Sequence, residues 1–290
     1  MLTTALLGEN KMNKIFKDRN HKIYLGDVIS CFNDIADESV DLIFVDPPYN
    51  IGKDFDGIKD EYDEEEYSVW MRKWIGEIYR VLKNNGTAYL MNSTQNFAEM
   101  DLIVRSKFFV ISRIIWAYDS SGVQAKKSFG SSWEPILHIV KNKKDYVFNG
   151  EDIKIEAKTG SQRNLIDYRK TPPQPYNKTK IPSNVWNFSR VRFKMDEYEN
   201  HPTQKPEALL ERIILASSNE GDLILDPFGG SFSTSAVAQK LKRKSISFDL
   251  NEEYVKIGIR RLSLPSKYSE KVLQKNKKRK TTNKSKKDHI

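Results

Sequence analysis

The chain has 290 residues, 38% of them hydrophobic and 11% aromatic, enough for one large core with a smaller insert. No run of about 18 apolar residues occurs, which excludes a membrane-spanning helix. The only cysteine, Cys31, excludes a disulfide framework and a Cys-rich zinc site. The net charge of +9 points toward nucleic acid, but residues 267–290 hold ten Lys/Arg against Glu270 and Asp288, so the positive charge is largely a property of the tail.

The four histidines (His21, His138, His201, His289) show no HxH or HxxxH spacing, so no metal site is expected. Residues 1–11 lack a basic n-region and a small-residue cleavage site. They read as an extension ahead of a fold that opens near Met12. A reducing cytoplasm is the natural compartment for such a chain, and residues 263–290 read as a solvated basic tail that can add sequence-independent phosphate attraction.

In chain order, Lys22–Leu25 reads as a short strand ending in Gly26-Asp27. Val40–Val45 reads as a denser one ending in Asp46-Pro47-Pro48. Both fit strands buried on two faces of a parallel sheet. Asp60–Glu66 is acidic and reads as loop. Tyr67–Lys83 carries apolar residues at Tyr67, Trp70, Met71, Trp74, Ile75, Ile78, Val81 and Leu82, a helical period, with Asn84-Asn85-Gly86 as its stop and Thr87–Leu90 as the next strand.

Residues 120–195 are polar, basic and turn-rich, and read as an inserted recognition region; Trp133 and Trp186 within it read as core. Pro206 suits the first turn of a helix marked by Leu209, Leu210, Ile213 and Ile214. Leu223–Asp226, the turn Pro227-Phe228-Gly229-Gly230, a helix over Ser233–Leu241 capped by Ser231 or Ser233, and Ser245–Phe248 closed by Asp249 form a Rossmann-like half.

Four segments carry chemistry. Asp46-Pro47-Pro48-Tyr49 stands at a strand's carboxyl end, where open α/β sheets bind ligands. An adenine amino nitrogen is a poor nucleophile because its lone pair is delocalised into the ring. Acceptors such as the Asp46 carboxylate and the Pro47 carbonyl can draw it toward sp3 geometry. Proline stiffens that loop and offers no competing N–H, and Tyr49 presents a face for an extruded base. Asp226, Phe228, Gly229, Gly230 and Ser231 form a turn that lets a ligand approach the backbone. Asp249, 23 positions after Asp226, can accept from ribose hydroxyls or simply cap a turn. Thr203, Gln204 and Lys205 precede a helix whose N-terminus can hold a carboxylate. Asp27 can accept from an adenine amino group or cap the helix that starts at Val28.

This set resembles the β class of DNA amino-methyltransferases, with the Asp-Pro-Pro-Tyr motif first, the cofactor turn last and the target recognition region between. The resemblance spans about residues 20–262. It implies a Rossmann-like α/β fold: a mostly parallel sheet with helices on both faces, built from residues 12–119 and 196–262, with 120–195 as target recognition region. It implies S-adenosyl-L-methionine as cofactor and double-stranded DNA as partner. Asp46, Pro47, Pro48 and Tyr49 would act on a flipped adenine, transferring the methyl group directly to N6. Asp226, Phe228, Gly229, Gly230 and Ser231 would line the cofactor, with Asp249 on its ribose, Asp27 near its adenine, and Thr203, Gln204 and Lys205 at its methionine end. Lys126, Lys127, Arg163, Arg169, Lys170, Arg190 and Arg192 are candidates for phosphate or base contacts.

One departure stands out. Many family members continue the glycine turn as Gly-Ser-Gly-Thr-Thr, whereas here Phe232 replaces a glycine and must avoid positive φ or accept strain. The competing readings are N4-cytosine methylation on the same scaffold and a catalytically silent DNA-binding relative. The Asp of Asp46-Pro47 favours adenine, and Cys31 follows Ser30 rather than Pro, against C5-cytosine chemistry. A homodimer and a place on nucleoid DNA are carried as expectations.

Overall fold

The computed structural model describes residues 14–55, 57–119, 127, 129–158 and 163–265. The extension 1–11, the tail beyond 265 and Lys126 lie outside the described residues.

Nine strands form one sheet: β1 Lys14–Lys17, β2 His21–Leu25, β3 Val40–Val45, β4 Leu82–Met91, β5 Phe109–Ala117, β6 Trp133–Val140, β7 Val185–Asn187, β8 Leu223–Asp226 and β9 Lys244–Asp249. Their spatial order is β1-β2-β9-β8-β3-β4-β6-β5-β7. From β2 to β4 all neighbours pair parallel. β6 runs against both its neighbours, and β1 against β2. Among the described residues six helices accompany the sheet: α1 Val28–Phe32, α2 Glu64–Val81, α3 Phe97–Arg105, α4 Glu207–Ser217, α5 Ser233–Lys240 and α6 Glu252–Arg261. This is the expected Rossmann-like α/β architecture. None of the helices among the described residues is long and apolar enough to cross a membrane.

The core explains the strand runs. Leu42, Ile43 and Val45 in β3 and Ile224 and Leu225 in β8 are fully buried, because helices cover both faces of the parallel strands. α2 buries Tyr67, Met71, Trp74, Ile75, Ile78 and Val81 along one stripe, each worth about 1.5–3 kcal/mol.

α2 starts earlier than its apolar period predicts. Asp63 caps it by accepting from the Glu65 amide at 2.9 Å, and Glu64, Glu65 and Glu66 occupy the first turn, where the helix dipole favours acids. Asn84-Asn85-Gly86 does not stop it. The helix ends at Val81 and the chain enters β4 at once. Gly86 instead serves a close approach, since a Cβ there would lie 2.7 Å from Leu82 Cδ1, beside the register shift between β3 and β4.

Residues 120–195 are not wholly an insert. They supply β6 and β7 to the central sheet, so the material outside it is mainly the two-residue strand pairs between 155 and 180. The apolar run Ile136–Val140 is flanked by polar sequence that masks it as a sheet element. Trp186 is buried as expected, but Trp133 is 38% exposed, because it opens β6 at the rim of the cavity described next.

Candidate active site

The strand order reverses between β3 and β8: from β2 the chain crosses to β3, and from β3 it builds outward through β4. Ligands of open α/β sheets bind at such switch points. Four parallel neighbours end there in an acid or an acid-bearing turn: Asp27 after β2, Asp249 on β9, Asp226 on β8 and Asp46 after β3. A cavity of about 1260 Å³ opens over these ends and is lined by all four.

Asp46 is engaged at both oxygens. Tyr49 Oη donates to Oδ1 at 2.6 Å, and Lys205 Nζ to Oδ2 at 2.6 Å. A second carboxylate, Glu134, faces the same donors: its Oε2 is 3.1 Å from Tyr49 Oη and 3.6 Å from Lys205 Nζ. Burial pushes Asp46 above the ordinary carboxylate range; Lys205 opposes the rise and Glu134 adds to it. Burial would lower Lys205, but the two carboxylates outweigh it and hold the ammonium charged. Tyr49 is held protonated by burial and by both acids.

The loop after Asp46 is organised from within. Buried Asp60 accepts from the backbone N–H of Tyr49 at 3.1 Å and from that of Lys53. Asn50 sits at φ 55° and its Oδ1 accepts from the Tyr62 amide at 2.7 Å. The Pro48 carbonyl accepts from Tyr67 Oη at 2.8 Å. Among the described residues no donor reaches the Pro47 carbonyl.

On the β8–β9 side, Asp226 Oδ1 accepts from the Phe228 amide at 3.1 Å, and Asp249 Oδ2 from the Gly230 amide at 2.8 Å. Burial raises both carboxyls to about 7. Phe228 packs edge-on against Trp70 and Trp74. Gly230 has φ 50°, and a Cβ there would lie 2.8 Å from His201 Nε2. His201 is neutral, pushed down to about 3 by burial and then by Lys205 and Lys53, so its Nδ1 can accept from the Thr203 amide at 3.3 Å.

Neither Ser231 nor Ser233 caps α5. The cap residue is Phe232, in the left-handed region at φ 56°. That conformation costs on the order of 1–3 kcal/mol. The phenyl ring offsets it by full burial with Ile23, Tyr254, Val255 and Ile259, and α6 presents Gly258 to it, where a Cβ would lie 2.5 Å from Phe232 Cγ.

The other predicted residues separate. Asp27 caps α1 through Oδ1 alone and also lines the cavity. Thr203 and Gln204 both line the cavity, and the Gln204 amide also braces its own loop, donating to the Glu197 carbonyl at 2.6 Å and accepting from the Glu199 N–H at 2.8 Å. Lys205 points at Asp46 rather than at the helix start. Of the recognition cations, Arg190 lines the cavity with its guanidinium 4.9 Å from the Tyr118 ring centroid. Arg169 pairs with Asp167 at 2.8 Å, Lys170 reaches Asn177 at 3.5 Å, and Arg192 reaches the Asp119 carbonyl at 3.4 Å. Lys127 and Arg163 are exposed. The sequence reading missed Glu134 and Asp60. Glu134 is the second residue of β6, and only the reversed direction of β6 places a strand's first residues at the carboxyl ends of its neighbours.

A Rossmann-like sheet with an Asp-Pro-Pro-Tyr end and a Gly-Gly turn at its switch point is the frame of a nucleoside-cofactor transferase. Residues 40–260 match the family model described as DNA methylase, and the chain belongs to this DNA methylase family. It is 58% identical over 275 residues to the DNA adenine methyltransferase YhdJ of Escherichia coli (strain K12), covering 95% of this chain and 94% of that protein. It is 35% identical to the Type II methyltransferase M.HpaI of Haemophilus parainfluenzae, over 84% of this chain and 74% of that one. Among solved structures, the M1.HpyAVI–SAM complex is similar with a TM-score of 0.59 at 22% identity, covering 83% of this chain and 98% of that one. The PvuII DNA methyltransferase (cytosine-N4-specific) gives 0.67 at 19%, covering 89% and 92%. The last two share the fold.

Proposed function

We propose that the chain transfers a methyl group from S-adenosyl-L-methionine to N6 of adenine in double-stranded DNA, with the target base turned out of the duplex. The observation that carries this is the placement of the Asp46 carboxylate in the same cavity as the Asp226 and Asp249 strand ends. The 58% identity to a protein named as a DNA adenine methyltransferase supports adenine as the base.

The residues fit the cofactor. Asp226 is a buried acceptor and Asp249 a partly buried one; desolvation raises both carboxyls to about 7, and hydroxyl and ammonium donors on a ligand suit them. Gly229 and Gly230 line the cavity, and their lack of a Cβ lets this turn pack against Phe232, Phe248 and His201. Asp249 suits the ribose, Asp27 offers its Oδ2 to the adenine ring, and Thr203 and Ser231 suit the methionine end, while Phe228 lines the pocket. When bound, S-adenosylmethionine supplies an electrophilic methyl group on a sulfonium sulfur.

The chain's own residues do the rest. Asp46 and the Pro47 carbonyl accept from the two N–H groups of the base and draw the nitrogen lone pair out of conjugation. The Tyr49 ring holds the base face. Asp46 receives the proton that the substituted nitrogen gives up. Orientation and prepositioned acceptors account for the rate, without a covalent enzyme intermediate. The target recognition region lies within residues 120–195, with Lys127, Arg163, Arg169, Lys170, Arg190 and Arg192 toward phosphates or base edges. The site of action is cytoplasmic DNA.

The test is nucleoside mass spectrometry of DNA digested after incubation with protein and cofactor. The wild type yields N6-methyldeoxyadenosine, and Asp46→Ala yields none while still binding cofactor and DNA. N4-methyldeoxycytidine in its place would move the reading to cytosine, and a fully active Asp46→Ala would remove Asp46 from the chemistry.

A further inference from the structure

Both oxygens of Asp46 are already engaged by short hydrogen bonds. Oδ1 accepts from Tyr49 Oη and Oδ2 from Lys205 Nζ, each at 2.6 Å. Each carboxylate oxygen keeps a second acceptor site, but an incoming amino group competes with these short bonds for the Asp46 charge, and a buried ammonium displaced from it cannot be left without a partner.

Glu134 stands where both donors can go. Its Oε2 is 3.1 Å from Tyr49 Oη and 3.6 Å from Lys205 Nζ. Moving Lys205 by about 1 Å would therefore make the second pair as close as the first. The other oxygen, Oε1, lies 3.4 Å from Tyr118 Oη, which anchors the side chain from the far side. Glu134 is itself only 17% exposed, so a largely desolvated carboxylate is retained beside a second one, at an electrostatic cost that a purely structural position would avoid.

We propose that Glu134 is a positioning residue: as the target amino group enters, it takes over the Tyr49 hydroxyl and the Lys205 ammonium from Asp46 and frees an Asp46 oxygen to accept from the base. No covalent bond changes in this exchange. Lys205 stays between two carboxylates throughout, so the charge of the cavity is constant. Two hydrogen bonds leave Asp46, while Glu134 shortens the one it already accepts from Tyr49 and gains one from Lys205. The proposal rests on the reading of Asp46 as the acceptor for the target amino group.

The test compares the full chain with its Glu134→Gln and Glu134→Asp variants on unmethylated plasmid DNA, scoring N6-methyldeoxyadenosine. Glu134→Gln keeps the shape and removes the charge. Glu134→Asp keeps the charge and withdraws the acceptor. Both are expected to lower kcat at least 30-fold while KM for DNA and for cofactor moves less than threefold. In Glu134→Gln the acid limb of the kcat profile moves to lower pH, because one of the charges that raises Asp46 is gone. A kcat within threefold of wild type in either variant overturns the proposal. So does loss of folding in both, or equal losses in kcat and binding, which would mark a structural role. If the wild type itself places no methyl group on adenine, the underlying reading fails instead, and the same assay shows it.

Discussion

Lys205 Nζ lies 2.6 Å from Asp46 Oδ2, and their side chains are only 7% and 16% exposed. The pair joins the loop before α4 to the end of β3, 159 positions apart. Replacing Lys205 by Met leaves Asp46 and Glu134 facing each other without their cation. Breaking such a pair from one side costs about 3–5 kcal/mol. The loss should be largest near pH 8 and smaller near pH 5, where the folded variant takes up a proton that the unfolded chain does not hold. Urea unfolding at the two pH values measures both, and methyl transfer should be lost as well.

Asp226 and Asp249 are raised by burial to about 7, above a free carboxyl at about 3.9. Between about pH 4 and 7 the folded state binds more protons than the unfolded chain, so their contribution to stability falls as pH rises through that window. His138 and His201 act the other way. Burial lowers them to about 4 and about 3, so the unfolded chain binds their protons below about 6.5 and stability grows as pH rises toward that value. The opposing pairs blunt the wild-type curve, and the variant difference is the clean readout. Asp226→Asn keeps an acceptor for the Phe228 amide and should gain on wild type as pH rises from 5 to 8 in thermal unfolding without cofactor. Identical pH dependence in the two proteins would contradict the assignment.

Phe232 trades backbone strain for burial. Phe232→Gly relieves the positive φ, worth about 1–3 kcal/mol, but empties a fully buried ring site, and truncating a buried Phe costs about 3–5 kcal/mol. The net expectation is destabilisation by about 2–3 kcal/mol in urea unfolding. A more stable variant would show that strain outweighs packing here.

Asp60 acts on Tyr49 from 11 positions away, through the Tyr49 amide at 3.1 Å. Asp60→Ala orphans that N–H and the Lys53 N–H. Each unsatisfied buried donor costs about 1–3 kcal/mol. A loosened Tyr49 should lower kcat about tenfold or more with a smaller change in cofactor affinity. Calorimetric binding beside steady-state kinetics separates the two.

Much of the fold was legible in the sequence. Val40–Val45 and Leu223–Asp226 were readable as strands because burial on two faces leaves an unbroken apolar run, and α2 because its stripe repeats at the helical period. Its true start at Glu64 was not, since acids that look like a loop are also what a helix N-terminus prefers. The strand-end positions of Asp46, Asp226 and Asp249 were fixed locally, by the strands they close. The partners of Asp46 were not. Lys205 and Glu134 reach it only because the sheet reverses order at β3 and β6 runs backward, and no local pattern encodes strand order. The sequence alone thus determined which carboxylates stand at strand ends and, with Phe232, where the turn departs from glycine. The tertiary structure decided which charges meet: that Lys205 serves Asp46, that a second carboxylate shares it, and that Phe232 is tolerated because Gly258 makes space for its ring. Ion pairs across 71 and 159 positions depend on packing, and packing is a property of the whole sheet.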